Sequence, residues 1–88
     1  MYMDNETLKL MGYVISSTYR VKVIKSLSKR DMIPTKIAND SGIRTNHISK
    51  VLAELKAKGI VECTNEEDRK NKNYRITELG KEISKELK

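Results

Sequence analysis

Residues 34–52 read Pro34-Thr-Lys-Ile-Ala38-Asn-Asp-Ser-Gly42-Ile-Arg-Thr-Asn-His-Ile48-Ser-Lys-Val-Leu52, and this stretch decides the fold. Pro34 suits the first turn of a short helix, where its fixed φ and missing N–H are tolerated. Gly42 supplies the positive φ that a tight turn needs. A second helix is predicted over about 45–58, and Ala38 is small enough to let the two helices approach closely. The stretch therefore has the requirements of a helix-turn-helix motif at about residues 34–58.

The pattern on either side of the motif predicts the remaining elements. Two helices precede it. The first covers about residues 5–16; the second follows the N-cap candidates Ser16, Ser17 and Thr18, runs to about Ser28 and has four inward residues: Tyr19, Val23, Ile24 and Leu27. Two runs of β-formers follow it, Ile60–Cys63 and Asn73–Ile76, separated by a wholly polar segment. Thr77 can cap a last helix that runs to about Leu87. We therefore predict a mainly α domain with a small β-hairpin.

Composition limits the classes of protein to which the chain can belong. Its 88 residues fit one domain, so we expect residues 1–88 to form one. Trp and Phe are absent, and the core is expected to be aliphatic with three tyrosines as aromatic candidates: Tyr13, Tyr19 and Tyr74. No apolar run approaches the roughly 18 residues that span a membrane, and Met1 to Asn5 lacks the pattern of a secretion signal. The lone Cys63 fits a reducing cytosol. We expect a cytoplasmic protein.

The net charge of +6 is unevenly distributed along the chain. Residues 20–50 hold eight basic and two acidic side chains, whereas residues 1–19 sum to −1 and residues 51–88 to +1. Four of the basic residues form one face of the second helix: Arg20, Lys22, Lys25 and Lys29. A localised basic region is the electrostatic footprint of a polyanion-binding protein. A surface that only keeps the protein soluble gives the same counts, so charge alone leaves both interpretations open.

Three segments carry a family resemblance. They are Ser17–Ile24, the helix-turn-helix stretch itself, and Leu52–Val61 together with Tyr74–Gly80. In these segments, which span about residues 17–80, the chain resembles winged helix-turn-helix regulators of the ArsR/MarR type, in the short archaeal style. The resemblance implies a winged helix-turn-helix fold with a wing at about residues 60–77. It also implies sequence-specific binding of double-stranded DNA and a role as a transcriptional regulator.

The candidate DNA-binding residues fall into two groups. The recognition helix, which is the second helix of the motif, is expected to turn six long or polar side chains away from the core: Arg44, Thr45, Asn46, His47, Ser49 and Lys50. Such groups at a helix N-terminus can reach base edges in a major groove. The DNA backbone is expected to be held by five residues: Thr35, Lys36, Arg69, Lys70 and Lys72. For each residue the alternative is a solvated side chain.

The chain departs from the family pattern at three places. Arg44 stands where many relatives carry a Ser or Thr cap, so Thr45 is the expected cap. The wing begins with acidic residues that repel phosphate, Glu66, Glu67 and Asp68, and only its later half suits DNA. The cysteine-rich metal motif of metal-sensing relatives is missing. We accordingly expect no metal, no cofactor and no small-molecule ligand.

Relatives of this type pair through their terminal helices, and a single recognition helix covers too few base pairs to select a site in a genome. The chain has an apolar stripe at each end: Leu8, Met11 and Ile15 in the first helix, and Leu79, Ile83 and Leu87 in the last. A symmetric homodimer is therefore predicted. The alternative for each stripe is that it packs only on its own core.

Other functions fit the sequence less well. An enzyme is not expected, because His47 and Cys63 are the only histidine and cysteine and no carboxylate pair has a supporting frame. Single-stranded nucleic acid needs aromatic stacking platforms, and most of the four tyrosines are expected to be buried. The alternative that stays open is a winged-helix protein-interaction adaptor in a transcription complex. An adaptor would be expected to show an exposed apolar patch and a polar but uncharged recognition helix, whereas this recognition helix is basic.

Overall fold

The computed structural model describes residues 4–87. Within that range the chain forms five helices and two strands, in the order α1 (Asn5–Ile15), α2 (Thr18–Lys29), α3 (Pro34–Ser41), α4 (Thr45–Ala57), β1 (Val61–Cys63), β2 (Tyr74–Ile76) and α5 (Glu78–Glu86). The predicted fold class is confirmed. Met1–Met3 and Lys88 lie outside the described residues, so the expectation about a secretion signal in Met1 to Asn5 falls largely there. None of the helices within 4–87 has the length and apolar character that crossing a membrane requires.

Local signals in the sequence set the helix ends. Asp4, Ser17 and Thr77 occupy N-cap positions, and each side chain accepts a hydrogen bond from a backbone N–H three residues later. Gly42 and Gly59 have φ of 78° and 73°, so each closes its helix in the left-handed conformation that glycine adopts without strain. These ends confirm the predicted order of elements.

The motif helices α3 and α4 close on an aliphatic wedge. Four buried residues fill it: Ile37, Ile43, Ile48 and Val51. Ala38, at the predicted point of close approach, is buried as well. The same cluster continues into α2 through Val23, Ile24 and Leu27. Because the wedge is filled from both helices, α4 is held at a fixed angle to the rest of the domain.

The wing is an antiparallel hairpin whose inner edge is joined to the helical part. Val61 pairs with Ile76 and Cys63 with Tyr74 in the register of β1 and β2. On its other side Tyr74 forms an isolated bridge with Met32, which lies between α2 and α3. The Tyr74 N–H donates to the Met32 carbonyl at 2.8 Å, and the Met32 N–H donates to the Tyr74 carbonyl at 3.0 Å. The wing is thus hydrogen-bonded directly to the segment that leads into the helix-turn-helix.

Helix α5 packs tightly beneath the hairpin. Ile83 is fully buried, and Leu79 and Leu87 are half-buried against the same core. Gly80 is buried, and a Cβ built there would overlap the Ile60 carbonyl oxygen and the Ile76 side chain. The Thr77 hydroxyl donates to the carbonyls of the turn before β1. The apolar stripe of α5 therefore faces the core of its own chain.

The structure corrects three sequence-based expectations. Tyr19 is 41% exposed rather than in the core, because the first turn of α2 extends beyond the core and lies beside α4. Tyr13 and Tyr74 are only half-buried, so tyrosines contribute little to the centre of the core. The expected Thr45 cap is wrong: Arg44 holds the N-cap position, its side chain makes no capping hydrogen bond, and Thr45 is already helical.

Candidate nucleic-acid interface

The first two turns of α4 present a polar surface. All six residues expected to face away from the core are exposed: Arg44, Thr45, Asn46, His47, Ser49 and Lys50. Between them Ile48 is fully buried and fixes the rotation of the helix. Because the N-cap side chain makes no hydrogen bond to the first turn, N–H groups at this end remain open to an outside acceptor. The surface can therefore offer both side-chain and backbone donors.

Tyr19 extends this surface onto α2, which the sequence did not suggest. Its ring centroid lies 5.3 Å from that of His47, with the two planes inclined by 51°. This separation and tilt are typical of a favourable ring contact. Tyr19 and His47 also line one shallow depression with Lys50 and Glu54. The contact restricts the orientation of the imidazole at the exposed end of α4.

Part of the positive charge of residues 20–50 is paired with groups of the same chain. The Arg20 guanidinium lies 3.8 Å from the Tyr13 ring centroid, donates to the Tyr13 carbonyl at 2.7 Å, and pairs with Glu54 at 3.3 Å. Arg20 thus joins α1, α2 and α4 instead of standing on a free cationic face. Its acidic partner Glu54 lies 34 residues away in sequence, so no local pattern predicts this ion pair.

Lys29 is also paired, with Asp40 at 3.0 Å. A hydrogen bond from Ser26 and then the Lys29 ammonium hold the pKa of the Asp40 carboxyl below its ordinary value. The predicted cationic face of α2 therefore overstates the charge available to a polyanion, since both Arg20 and Lys29 already have acidic partners.

The wing loop separates its charges into two sides. On the acidic side, Glu66 accepts a 2.6 Å hydrogen bond from Lys56 at the end of α4. This pairing lowers the pKa of Glu66 and raises that of Lys56. The segment 63–68 lines a depression of its own on that side. The Glu66 carboxylate, one of the acidic groups that would repel phosphate, is thus held against the C-terminal end of α4.

The basic side of the wing loop meets the start of α3. Arg69, Asn71 and Lys72 line a groove together with Thr35 and Tyr74. Arg69 and Lys70 are exposed and Lys72 is half-buried. Of the five residues expected to hold a DNA backbone, the structure therefore brings Thr35, Arg69 and Lys72 to one groove. Lys36 and Lys70 are exposed nearby in sequence but do not line it.

Residues that could hold a metal are not clustered. Across residues 4–87 no group of three or more His, Cys, Asp or Glu side chains has the arrangement that would bind an ion. Cys63 is a free, half-buried thiol whose S–H donates to the Asn65 side-chain oxygen at 3.4 Å. The side chains of this surface offer hydrogen bonds, ion pairs and a ring contact.

No protein-family model matches the sequence, and no curated protein matches it. Solved structures do match. The adhesin competence repressor AdcR of Streptococcus pyogenes superposes with a TM-score of 0.73 at 21% identity, covering 81% of this chain and 54% of AdcR. The transcriptional repressor BigR of Xylella fastidiosa gives a TM-score of 0.74 at 21% identity, over 89% of this chain and 80% of BigR.

A third match is the homodimeric winged helix-turn-helix DNA-binding domain Mb0332 of Mycobacterium bovis, described as a possible ArsR-family transcriptional regulator. Its TM-score is 0.68 at 22% identity, over 90% of this chain and 69% of that domain. The chain spans about half the length of AdcR. These likenesses establish that the chain has the winged helix-turn-helix fold. The three source organisms are bacteria, and the archaeal style remains a prediction.

Proposed function

We propose that this protein binds double-stranded DNA in a sequence-specific manner and regulates transcription in the cytoplasm. The observation that carries the proposal is the exposed polar surface of α4 beside the basic groove between α3 and the wing. The solved structures of the same fold include two repressors and one DNA-binding domain, which supports this assignment. Fold alone does not fix function, so the proposal rests on the side chains.

Selection of sequence is assigned to the N-terminal half of α4. Inserted in a major groove, this half brings Arg44, Asn46 and His47 to base edges, where Arg pairs with guanine and Asn with adenine. Thr45, Ser49 and Lys50 flank them and reach either bases or phosphates. Tyr19 holds the His47 ring in a restricted orientation before binding. Restricting the ring in advance reduces the entropy lost on contact with a base.

Binding to the phosphate backbone of DNA is assigned to the groove between the start of α3 and the wing loop. Arg69 and Lys72 face the start of α3, where Thr35 lies. Lys36 and Lys70 add positive charge at exposed positions. Phosphate contacts of this kind strengthen binding to any duplex and carry no sequence information. The ion pair of Glu66 with Lys56 keeps one acidic group of the wing away from this groove.

We propose further that the protein acts as a homodimer through its terminal helices, with the outer side of α1 as the main contact. Leu8 and Ile15 stand 54% and 59% exposed on that helix. The Mb0332 domain of the same fold is a homodimer. Two recognition helices related by a two-fold axis would face successive major grooves. The preferred site would then be a near-palindrome with half-site centres about 10 base pairs, or a multiple of that, apart.

The test distinguishes residues that select the base sequence from residues that bind the DNA backbone. Duplexes selected from a random pool and unselected duplexes are titrated across a salt series with the wild type and three variants, Asn46→Ala, His47→Ala and Lys70→Ala. The first two should each weaken the selected duplex by about 1–3 kcal/mol and random duplexes little. Lys70→Ala should weaken both and lower the salt slope by about one unit. Lys85→Ala, which removes the same charge from an exposed position on α5, is the control. It should change neither the affinity for the two duplexes nor the salt slope.

Two results would contradict the proposal. Equal losses on both duplexes for Asn46→Ala and His47→Ala would remove these residues from base selection. If the wild type bound no duplex even at low salt, the protein-interaction adaptor considered above would become the better account.

A further inference from the structure

The polar tip of the wing is organised around one side chain, Asn65. Its Oδ1 accepts the backbone N–H of Asn73 at 2.6 Å and the thiol of Cys63 at 3.4 Å. Its Nδ2 donates to the Asp68 carboxylate at 2.9 Å and to the Asn71 carbonyl at 3.2 Å. One amide thus contacts both strand ends and two points along the loop, and it uses both its donor and its acceptor groups.

These four bonds bracket the cationic part of the loop. Asp68 and Asn71 lie on either side of Arg69 and Lys70, and Asn73 follows Lys72. Asn71 has a φ of 55°, a left-handed conformation that asparagine tolerates better than most residues but that still needs support from its surroundings. The bond from Asn65 to the Asn71 carbonyl supplies such support. The segment that carries the cations is therefore fixed from inside the loop.

We infer that Asn65 is a positioning residue for DNA binding: it holds the wing loop so that Arg69 and Lys72 stand ready at the groove between the wing and the start of α3. The inference rests on the proposed function. A loop fixed before binding loses less conformational entropy when its cations meet phosphates than a free loop does. Asn65 itself need not touch DNA, since its amide is fully occupied within the loop.

The chain offers a matched control in Thr64. Its hydroxyl donates to the Asn73 carbonyl and accepts from the Asn73 amide, at 3.2 and 3.1 Å. Thr64→Ala therefore also removes hydrogen bonds from the wing, at the base of the loop, but none that reach the cationic segment. A loss that is specific to Asn65→Ala cannot be attributed to general weakening of the hairpin.

The experiment compares the wild type, Asn65→Ala, Thr64→Ala and Arg69→Ala/Lys72→Ala on selected and random duplexes over a salt series. Asn65→Ala should weaken binding to both duplexes by about tenfold, through lost pre-organisation. Its salt slope should stay near that of the wild type, because the same cations still meet phosphates in the complex, whereas the slope of the double variant should fall by about two units. Added to the double variant, it should cause little further loss, because the groups it positions are already gone. Thr64→Ala should bind like the wild type.

A measurement on the free protein accompanies the titrations. Backbone order parameters of residues 66–72 should fall below about 0.6 in Asn65→Ala and stay near the rigid value in Thr64→Ala. A loop that stays rigid, or equal binding by the two single variants while the double variant binds weakly, would show that Asn65 does not position the cations. If the double variant bound DNA as tightly as the wild type, the wing contact itself would be wrong, and this inference with it.

Discussion

Both terminal helices carry an apolar stripe at helical spacing, yet the structure uses the two stripes differently. In α5 the stripe faces inward, with Ile83 fully buried and Gly80 pressed against the turn before β1. In α1 the side packed into the domain carries Thr7 and Val14, while Leu8 and Ile15 point outward and are more than half exposed. One helix completes the core, and the other contributes to the core and also leaves an apolar surface.

The difference shows what periodicity can and cannot establish. A spacing of three or four residues predicts a helix with an apolar face. It does not say which partner that face meets, because α1 has apolar residues on more than one side. The exposed Leu8 and Ile15 of α1 are a candidate contact surface, and a second copy of the chain is the occupant we propose.

The largest expected effect is the difference in the free energy of unfolding between a variant in α5 and a variant in α1. Ile83→Glu places an unpaired carboxylate in the core, which costs several kcal/mol, against a total of about 5–10 kcal/mol for a domain of this size. Leu8→Glu changes an exposed residue and should alter the free energy of unfolding of the monomeric chain, measured below the concentration at which the proposed dimer forms, by about 0.5 kcal/mol or less. Thermal and urea unfolding followed by circular dichroism measure both variants. Comparable unfolding of the two would mean that the comparison of α1 with α5 is wrong.

The next effect concerns association. Leu8→Glu/Ile15→Glu should weaken the dimer by at least about tenfold, because two apolar contacts are replaced by like charges facing their own copies across the axis. The circular dichroism spectrum should stay that of the wild type. Sedimentation at micromolar concentration, with and without DNA, measures the pairing. A wild type that is monomeric when free and binds as one chain per duplex on an asymmetric site would rule out the dimer.

The smallest effect contrasts the caps of the same two helices. The Thr7 N–H donates to the Asp4 carboxylate at 2.8 Å, and this bond lowers the pKa of Asp4 below its ordinary 3.8. A lowered pKa means that the capping contribution is fully present above about pH 4 and is lost as the pH falls through the lowered pKa. Thr77, which caps α5, does not titrate in this range. Acid should therefore loosen the first turn of α1 before that of α5.

Amide hydrogen exchange at pH 5 and pH 2.5, corrected for intrinsic rates, measures this contrast. Asp4→Asn is the control, because an amide caps a helix at either pH. Equal acid sensitivity of α1 in Asp4→Asn and in the wild type would show that the cap is not responsible.

The elements that the sequence predicted well are those with local causes. Pro34 at the first helical position, left-handed Gly42 and Gly59, and the Thr77 cap act within a few residues of themselves. The buried wedge at Ile48 follows from helical spacing alone. The six exposed side chains of α4 follow from the same spacing. Whether they touch DNA depends on a partner that the chain does not contain, so those roles remain predictions.

The misjudged positions depend on residues far away in the sequence. By its helical spacing Arg20 belongs to the cationic face of α2, but its acidic partner Glu54 lies on another helix. Tyr19 has the spacing of a core residue, and only the position of α4 shows that it meets His47 instead. In the sequence the wing tip is only a wholly polar segment between two strands. Its order comes from Asn65, whose several bonds no pattern of residue types announces.

The bridge between Met32 and Tyr74 also affects how the protein avoids aggregation. A strand at the edge of a sheet is a template for pairing with other chains. At Tyr74 the bridge places a partner on the side of β2 that faces away from β1, so this strand is hydrogen-bonded on both sides there. In the described part of the chain, the other side of β1 has no strand partner. β1 is only three residues long and carries the charged Glu62, paired with Arg75 at 2.6 Å. The wing is therefore a poor template for the addition of a strand from another chain.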